Sequence, residues 1–122
     1  MNAKGDYVKV HKSDGNINVW FYNENDKPFA IGEKMHAINE NAYMNGYNWD
    51  ALFNYYLAKH APDVLEDMES DPEAGSYAAQ YPLTPKNDVR AEKFAEIIRS
   101  LIENEEELYR IVREEGAEIE WD

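Results

Sequence analysis

The sequence predicts an α+β fold, with a small antiparallel sheet packed with three to five helices in a single domain over residues 1–122. Three observations predict it. Two short segments near the start flank Ser13-Asp14-Gly15-Asn16, which has turn chemistry. Further on, apolar residues recur at helical spacing along three stretches. Apolar residues make up 43 % of the 122, enough to fill one core.

The elements follow in chain order. Tyr7-Val8-Lys9-Val10-His11 and Ile17-Asn18-Val19-Trp20-Phe21-Tyr22 read as the two arms of a β-hairpin. Residues 23–28 read as a polar loop. Ile31, Met35, Ile38 and Ala42 then recur as on a helix over about 30–41. Gly46 breaks the chain, Asn48 suits an N-cap, and Asp50 suits the first turn, where the helix dipole favours negative charge. Trp49, Leu52, Phe53, Tyr56 and Leu57 form one apolar stripe, so 49–59 reads as the central core helix. Pro62 marks its end or the first turn of a short helix to Met68. Residues 75–81 read as a strand, with a loop bracketed by Pro82 and Pro85. Phe94, Ile97, Ile98, Leu101 and Ile102 define a long helix over 88–104. Asn104 and Glu107 have the spacing of a capping box for another helix through Glu115, with Gly116 at C′. The alternation of residues 117–121 predicts a final edge strand. No repeat, linker or low-complexity tract divides the chain.

Composition limits what such a domain does. The net charge is −13, which repels nucleic acid and anionic membranes and favours basic partners with fast, salt-sensitive association. Nine tyrosines supply rings that bury a face while keeping a hydroxyl wet. With no cysteine there is no disulfide, thiolate metal site or thiol nucleophile. That fits a reducing cytosol. Residues 1–6 lead into no apolar signal segment, and no apolar run approaches the ~18 residues of a membrane span. The expectation is a soluble, unexported, cytoplasmic protein.

The chemistry-bearing patterns point away from catalysis. His11, His36 and His60 never fall within a short ligand spacing, so no metal site is expected. Asp67, Glu69, Asp71 and Glu73 imitate the start of a calcium loop. Pro72 then stands where the glycine belongs, and Ala78 where the bidentate glutamate belongs. Among 25 acidic residues, neighbouring carboxylates arise by chance. There is no nucleophile elbow, P-loop or dinucleotide fingerprint. No cofactor is expected. Lysine and arginine do not cluster beside aromatics as in single-strand binders, so nucleic-acid binding is not expected either.

A surface is the better candidate. Residues 61–85 carry six acids, Asp63, Glu66, Asp67, Glu69, Asp71 and Glu73, and no base. Six uncompensated charges within eleven residues repel one another, and a basic partner relieves that. We therefore expect Asp63, Glu66, Asp67 and Glu69 to bind a partner. Asp71 and Glu73 are set aside because Asp-Pro-Glu is a turn sequence. Glu103-Asn104-Glu105-Glu106-Glu107 weighs less, because a helix start explains it. Tyr43, Tyr47 and Tyr55 lie off the apolar stripe or before it, and Tyr47 and Tyr55 are expected as contact rings. The plain alternative for the acids is a solvated face, and for the aromatic helix simply the core.

Gly46-Tyr47-Asn48-Trp49-Asp50-Ala51-Leu52, then Tyr56-Leu57, Ala61-Pro62 and Asp71-Pro72-Glu73-Ala74-Gly75, resembles the central motif of a bacterial polymorphic-toxin immunity family, immunity protein 51. The resemblance covers about residues 46–81. It implies a small cytosolic α+β protein, made beside a toxin gene, that binds and blocks its cognate toxin by occlusion. It carries over no catalytic residues, and for Gly46, Trp49 and the 71–75 turn a role in the fold stands beside one in the contact. Two other classes stay open. One is an acidic adaptor or nucleic-acid mimic unrelated to toxins. The other is a small carboxylate-dependent hydrolase.

Overall fold

The computed structural model describes residues 7–122. Residues 1–6, read above for an export signal, lie outside them. Strands β1 (Val8–Ser13) and β2 (Asn16–Phe21) form the expected hairpin. Ser13 faces Asn16, so Asp14 and Gly15 alone make the loop. Both have positive φ, 38° and 83°. That is the type I′ geometry whose twist matches the flanking strands, and it is why an Asp-Gly pair stands there.

Two more strands complete the sheet, β3 (Glu69–Ser70) and β4 (Tyr77–Pro82), in the order β1-β2-β4-β3, antiparallel throughout. The period of two sorts the side chains. Val8, Phe21 and Tyr77 share one row, and Val10, Val19 and Ala79 another, on the face turned to the core. Lys9, Trp20 and Ala78 share a row on the opposite face, beside the row of His11, Asn18, Gln80 and Glu69.

Four helices follow: α1 (Asp26–Ile38), α2 (Gly46–His60), α3 (Pro85–Glu103) and α4 (Glu105–Glu114). α3 packs on β1 and β2, α2 on β4, and α1 on α4. The predicted stripe of α2 lands in the centre. Phe53 lies 5.6 Å from Phe21, 5.6 Å from Trp49, 5.1 Å from Tyr77 and 5.6 Å from Phe94. All five rings are buried. Burying a large apolar side chain contributes ~1.5–3 kcal/mol, so this cluster binds sheet, α2 and α3 into one unit. Among the described residues no helix is long and apolar enough to cross a membrane.

Several local expectations are corrected. α1 starts at Asp26, so Pro28 belongs to its first turn. A proline costs nothing there, since the first N–H groups have no partner in the helix. α1 ends at Ile38, and Ala42 is buried from the following loop. The N-cap of α2 is Asn45, whose side chain accepts from the Asn48 N–H at 3.0 Å. Asn48 is buried inside the first turn, and Asp50 stands one turn further on. Tyr56 is only half buried, against His60. Thr84 caps α3, which begins at Pro85. Asn104 makes no side-chain cap on α4, and Glu107 pairs with Arg110 at 2.9 Å instead of reaching back.

The expected strand at 117–121 does not form. The chain makes a short 3₁₀ turn (Gly116–Glu118) and runs to the start of α2. There the Asp122 N–H donates to Asn48 at 2.7 Å, and the Trp121 indole donates to the Gly116 carbonyl at 3.0 Å. Ile119 is buried by this packing. The alternation is real, with Ile119 buried and Trp121 half buried, but Ala117 is exposed and no strand pairs with the segment among the described residues.

Candidate functional site

The six sequence-predicted contact residues fall into separate groups. Asp63 lies in a 3₁₀ turn (Pro62–Leu65) that follows α2. Glu66 ends that turn, and Asp67 takes a left-handed backbone at φ 65°, a conformation aspartate tolerates better than most residues. This geometry points the three acids at α3. Lys93 approaches Asp63 to 3.1 Å, and Arg90 lies 3.6 Å from Glu66 and 3.5 Å from Asp67. Asn87, buried, donates to Asp67 at 3.2 Å and accepts from Arg90 at 2.8 Å. The hydrogen bond from Lys93 holds the Asp63 carboxyl below the usual carboxylate range.

The block is therefore not uncompensated, as its sequence implied. No base stands among residues 61–85, but α3 delivers two from beyond it. Within the block, the acids without an ion pair among the described residues are Glu69, Asp71 and Glu73. Glu69 and Asp71 line a shallow depression of about 300 Å³ with Asn18, Trp20, Ser70 and Gln80. The Trp20 ring is exposed there.

The turn after β3 has a structural task. The Asp71 N–H donates to the Ala78 carbonyl at 2.7 Å and the Glu73 N–H to Ser76 at 2.8 Å. The Gly46 N–H, at the head of α2, donates to the Ala74 carbonyl at 2.9 Å. A Cβ on residue 46 would stand 1.8 Å from the Glu73 carbonyl oxygen. Gly46 and the 71–75 turn are thus one contact, and Trp49 is fully buried behind them.

The tyrosines divide as well. Tyr47 is exposed in the first turn of α2. Tyr55 lies two turns further along, about 12 Å by helix rise. Its hydroxyl donates to Glu115, which Lys59 and Arg110 also reach, at 2.6 and 2.8 Å. These three partners hold the Glu115 carboxyl down to about 2. The Tyr55 hydroxyl, raised by the same bond, is committed within the fold. Tyr55 also borders an open depression of about 450 Å³ with Asp50, Glu118, Glu120 and Asp122. Burial raises the Asp50 carboxyl there, against hydrogen bonds from Ser70 and Asn54.

Sequence reasoning missed one feature. A cavity of about 330 Å³ lies between α1 and the start of α2, lined by Asn23, Glu24, Phe29, Glu33, His36 and Tyr43 among others. The signal was present for half of it. Phe29, Glu33 and His36 recur at i, i+4 and i+7, off the buried stripe of Ile31 and Met35. Reading the helix from about residue 30 left Phe29 outside it and hid that face.

Among the described residues no group of three or more histidine, aspartate or glutamate side chains could hold a metal ion. The model of the family described as immunity protein 51 matches residues 8–117. Neither a curated protein nor a solved structure gives a match.

Proposed function

The chain belongs to the immunity protein 51 family, and we infer that it binds a cognate toxin domain of basic surface and neutralises it by occluding the active site. The observation that carries this reading is the family match across most of the chain. The excess of acid supports the basic partner: a net charge of −13 speeds encounter with a positive surface. Asp63, Glu66, Asp67 and Glu69 remain our contact acids. Arg90 and Lys93 lower their mutual repulsion without cancelling it, since two cations meet three of the carboxylates and Glu69 has no ion pair among the described residues. Tyr47, exposed at the head of α2, is the aromatic contact we favour beside them. An inhibitor of this kind acts in the compartment of the toxin's target, and we place that in the cytoplasm.

Occlusion needs no catalytic group. The family name points to an immunity protein rather than an enzyme. A toxin with a variable C-terminal domain, encoded next to this chain, is the natural partner to test.

The experiment neutralises Asp63, Glu66, Asp67 and Glu69 to Asn or Gln together. Association with that toxin should slow by about tenfold or more at low salt, and the difference should shrink as salt rises past ~0.15 M. The toxin's substrate should compete with the parent protein for the toxin. If the four-site variant binds and protects as the parent does, the acids are a solvated face. If substrate does not compete, inhibition is not by occlusion.

A further inference from the structure

We propose that the cavity between α1 and the start of α2 is an anchor pocket for one arginine side chain of the partner. This rests on the toxin-binding reading and names the chemistry that one part of the surface would recognise. The cavity holds about 330 Å³, at the small end of ligand pockets and suited to one long side chain. Asn23 belongs to its lining and is only 2 % exposed. Its side-chain oxygen has no hydrogen-bond partner among the described residues. A buried acceptor left without a donor is costly, and such groups recur where a ligand supplies the missing partner. The oxygen itself is covered, so an N–H donor entering the cavity would supply it once the Asn23 amide turns towards the cavity.

The rest of the lining selects the kind of donor. Glu24 and Glu33 are exposed acids on the lining, and neither has an ion pair among the described residues. Phe29 is 50 % exposed and Tyr43 63 %. The Tyr43 ring is braced edge-on by His36 at 5.6 Å. Carboxylates reject an anion. An apolar ligand would leave both acids and the Asn23 oxygen without partners. A guanidinium answers all three demands, because its planar fork gives several N–H donors and its faces stack on aromatic rings. Ammonium offers the charge without the stacking plane, so arginine is favoured over lysine.

The position suits recognition. Ala74 forms part of the same lining, and the turn it belongs to is fixed to the head of α2 by the Gly46 N–H. The lining therefore comes from three segments held in register, so little ordering is needed on binding.

The test titrates the whole chain, followed by two-dimensional NMR, with N-acetyl-arginine amide and with its neutral isostere N-acetyl-citrulline amide. The arginine probe should shift the Asn23 side-chain amide and the backbone amides of Phe29, Glu33 and Tyr43 saturably. Citrulline should bind about tenfold more weakly, since it lacks the charge-assisted bonds. The double variant Glu24→Gln, Glu33→Gln changes only exposed side chains, so its spectrum should stay folded while that preference disappears. Equal binding of the two probes, or shifts centred on Glu69 and Asp71, would overturn the proposal. A second arm measures toxin affinity of the same double variant, which should fall about tenfold. Unchanged affinity in a chain whose parent binds the toxin defeats the anchor role and leaves the immunity reading standing. If the parent binds no toxin, that reading fails by itself, and the ratio of the two probes decides whether the cavity is a guanidinium site.

Discussion

Replacing Gly46 with alanine should destabilise the fold by about 1–5 kcal/mol, although alanine is the better helix former. The magnitude follows from the contact at the head of α2. The new Cβ would lie 1.8 Å from the Glu73 carbonyl oxygen and 2.2 Å from that of Ser76. Both neighbours are backbone, so no side chain can rotate away. The turn must retreat from the helix by about an ångström to reach even a tight contact. Retreat breaks the bond from the Gly46 N–H to Ala74, 2.9 Å long, and strains that from the Glu73 N–H to Ser76, 2.8 Å. Overpacking costs about 1–3 kcal/mol, and leaving buried backbone groups without partners costs about 1–3 kcal/mol more. The propensity gain opposes this by about 1 kcal/mol at most. Urea unfolding reads the outcome. With a slope of about 1–3 kcal/mol per molar for small proteins, the midpoint should fall by roughly 1.5 M. Gly15→Ala is the control. It meets nothing within 4 Å and carries only the strain of φ +83°, about 1–2 kcal/mol. A Gly46→Ala midpoint at or above the parent's would refute the reasoning. It would mean that the 71–75 turn does not pack on α2.

Two further outcomes follow from the core and from the Glu115 cluster. Trp49→Ala should cost ~3–5 kcal/mol, because the ring is fully buried and packs 5.0 Å from Phe21 and 5.6 Å from Phe53; a near-parental midpoint with lost binding would move Trp49 to the contact surface. Glu115 titrates at about 2 in the fold because Lys59, Tyr55 and Arg110 bond to its charged form. A depressed carboxylate contributes stability that is complete above its unfolded value near 4.5 and is lost as pH falls towards 2. Glu115→Gln should flatten stability against pH in that window, and an unchanged slope there would show that the cluster does not couple to folding.

Legibility differed element by element, and for physical reasons. The hairpin was readable because Asp14-Gly15 and the flanking alternation are local signals. α2 and α3 were readable because their stripes repeat over several turns. The boundary of α1 was not, because Pro28 has the same appearance in a loop as in a first helical turn. Asn45 in place of Asn48 as the cap was not legible either, because the groups that hold the Asn48 side chain lie outside the helix. The Asn48 side-chain N–H donates to the Tyr43 carbonyl at 2.7 Å, and its oxygen accepts from the Asp122 N–H. β3 has two polar residues and exists only because β4 pairs with them. The last segment carried a true period of two, yet the pattern does not say what its apolar side meets. Charge pairing was the least legible. Arg90 and Lys93 stand more than twenty residues from the acids they approach, and only the fold brings them there.

That last failure bears on how the surface can work. Where cations reach the acids, as at Asp63, Glu66 and Asp67, a partner's base must compete with Arg90 or Lys93 for the same carboxylates. Surface pairs of this sort contribute little to stability, so exchange is cheap, but the net gain is small and shows mainly in the association rate. Where none among the described residues reaches them, as at Glu24, Glu33, Glu69, Asp71 and Glu73, an incoming base meets no such rival there. Glu24 and Glu33 differ again from the other three, because they share their cavity with a buried oxygen that has no donor among the described residues. A contact that satisfies a buried group is lost on dissociation, so it lengthens the life of a complex rather than hastening its formation. The paired block and the cavity therefore affect different rate constants. Neutralising the first should slow association most at low salt, while altering the second should speed dissociation at any salt.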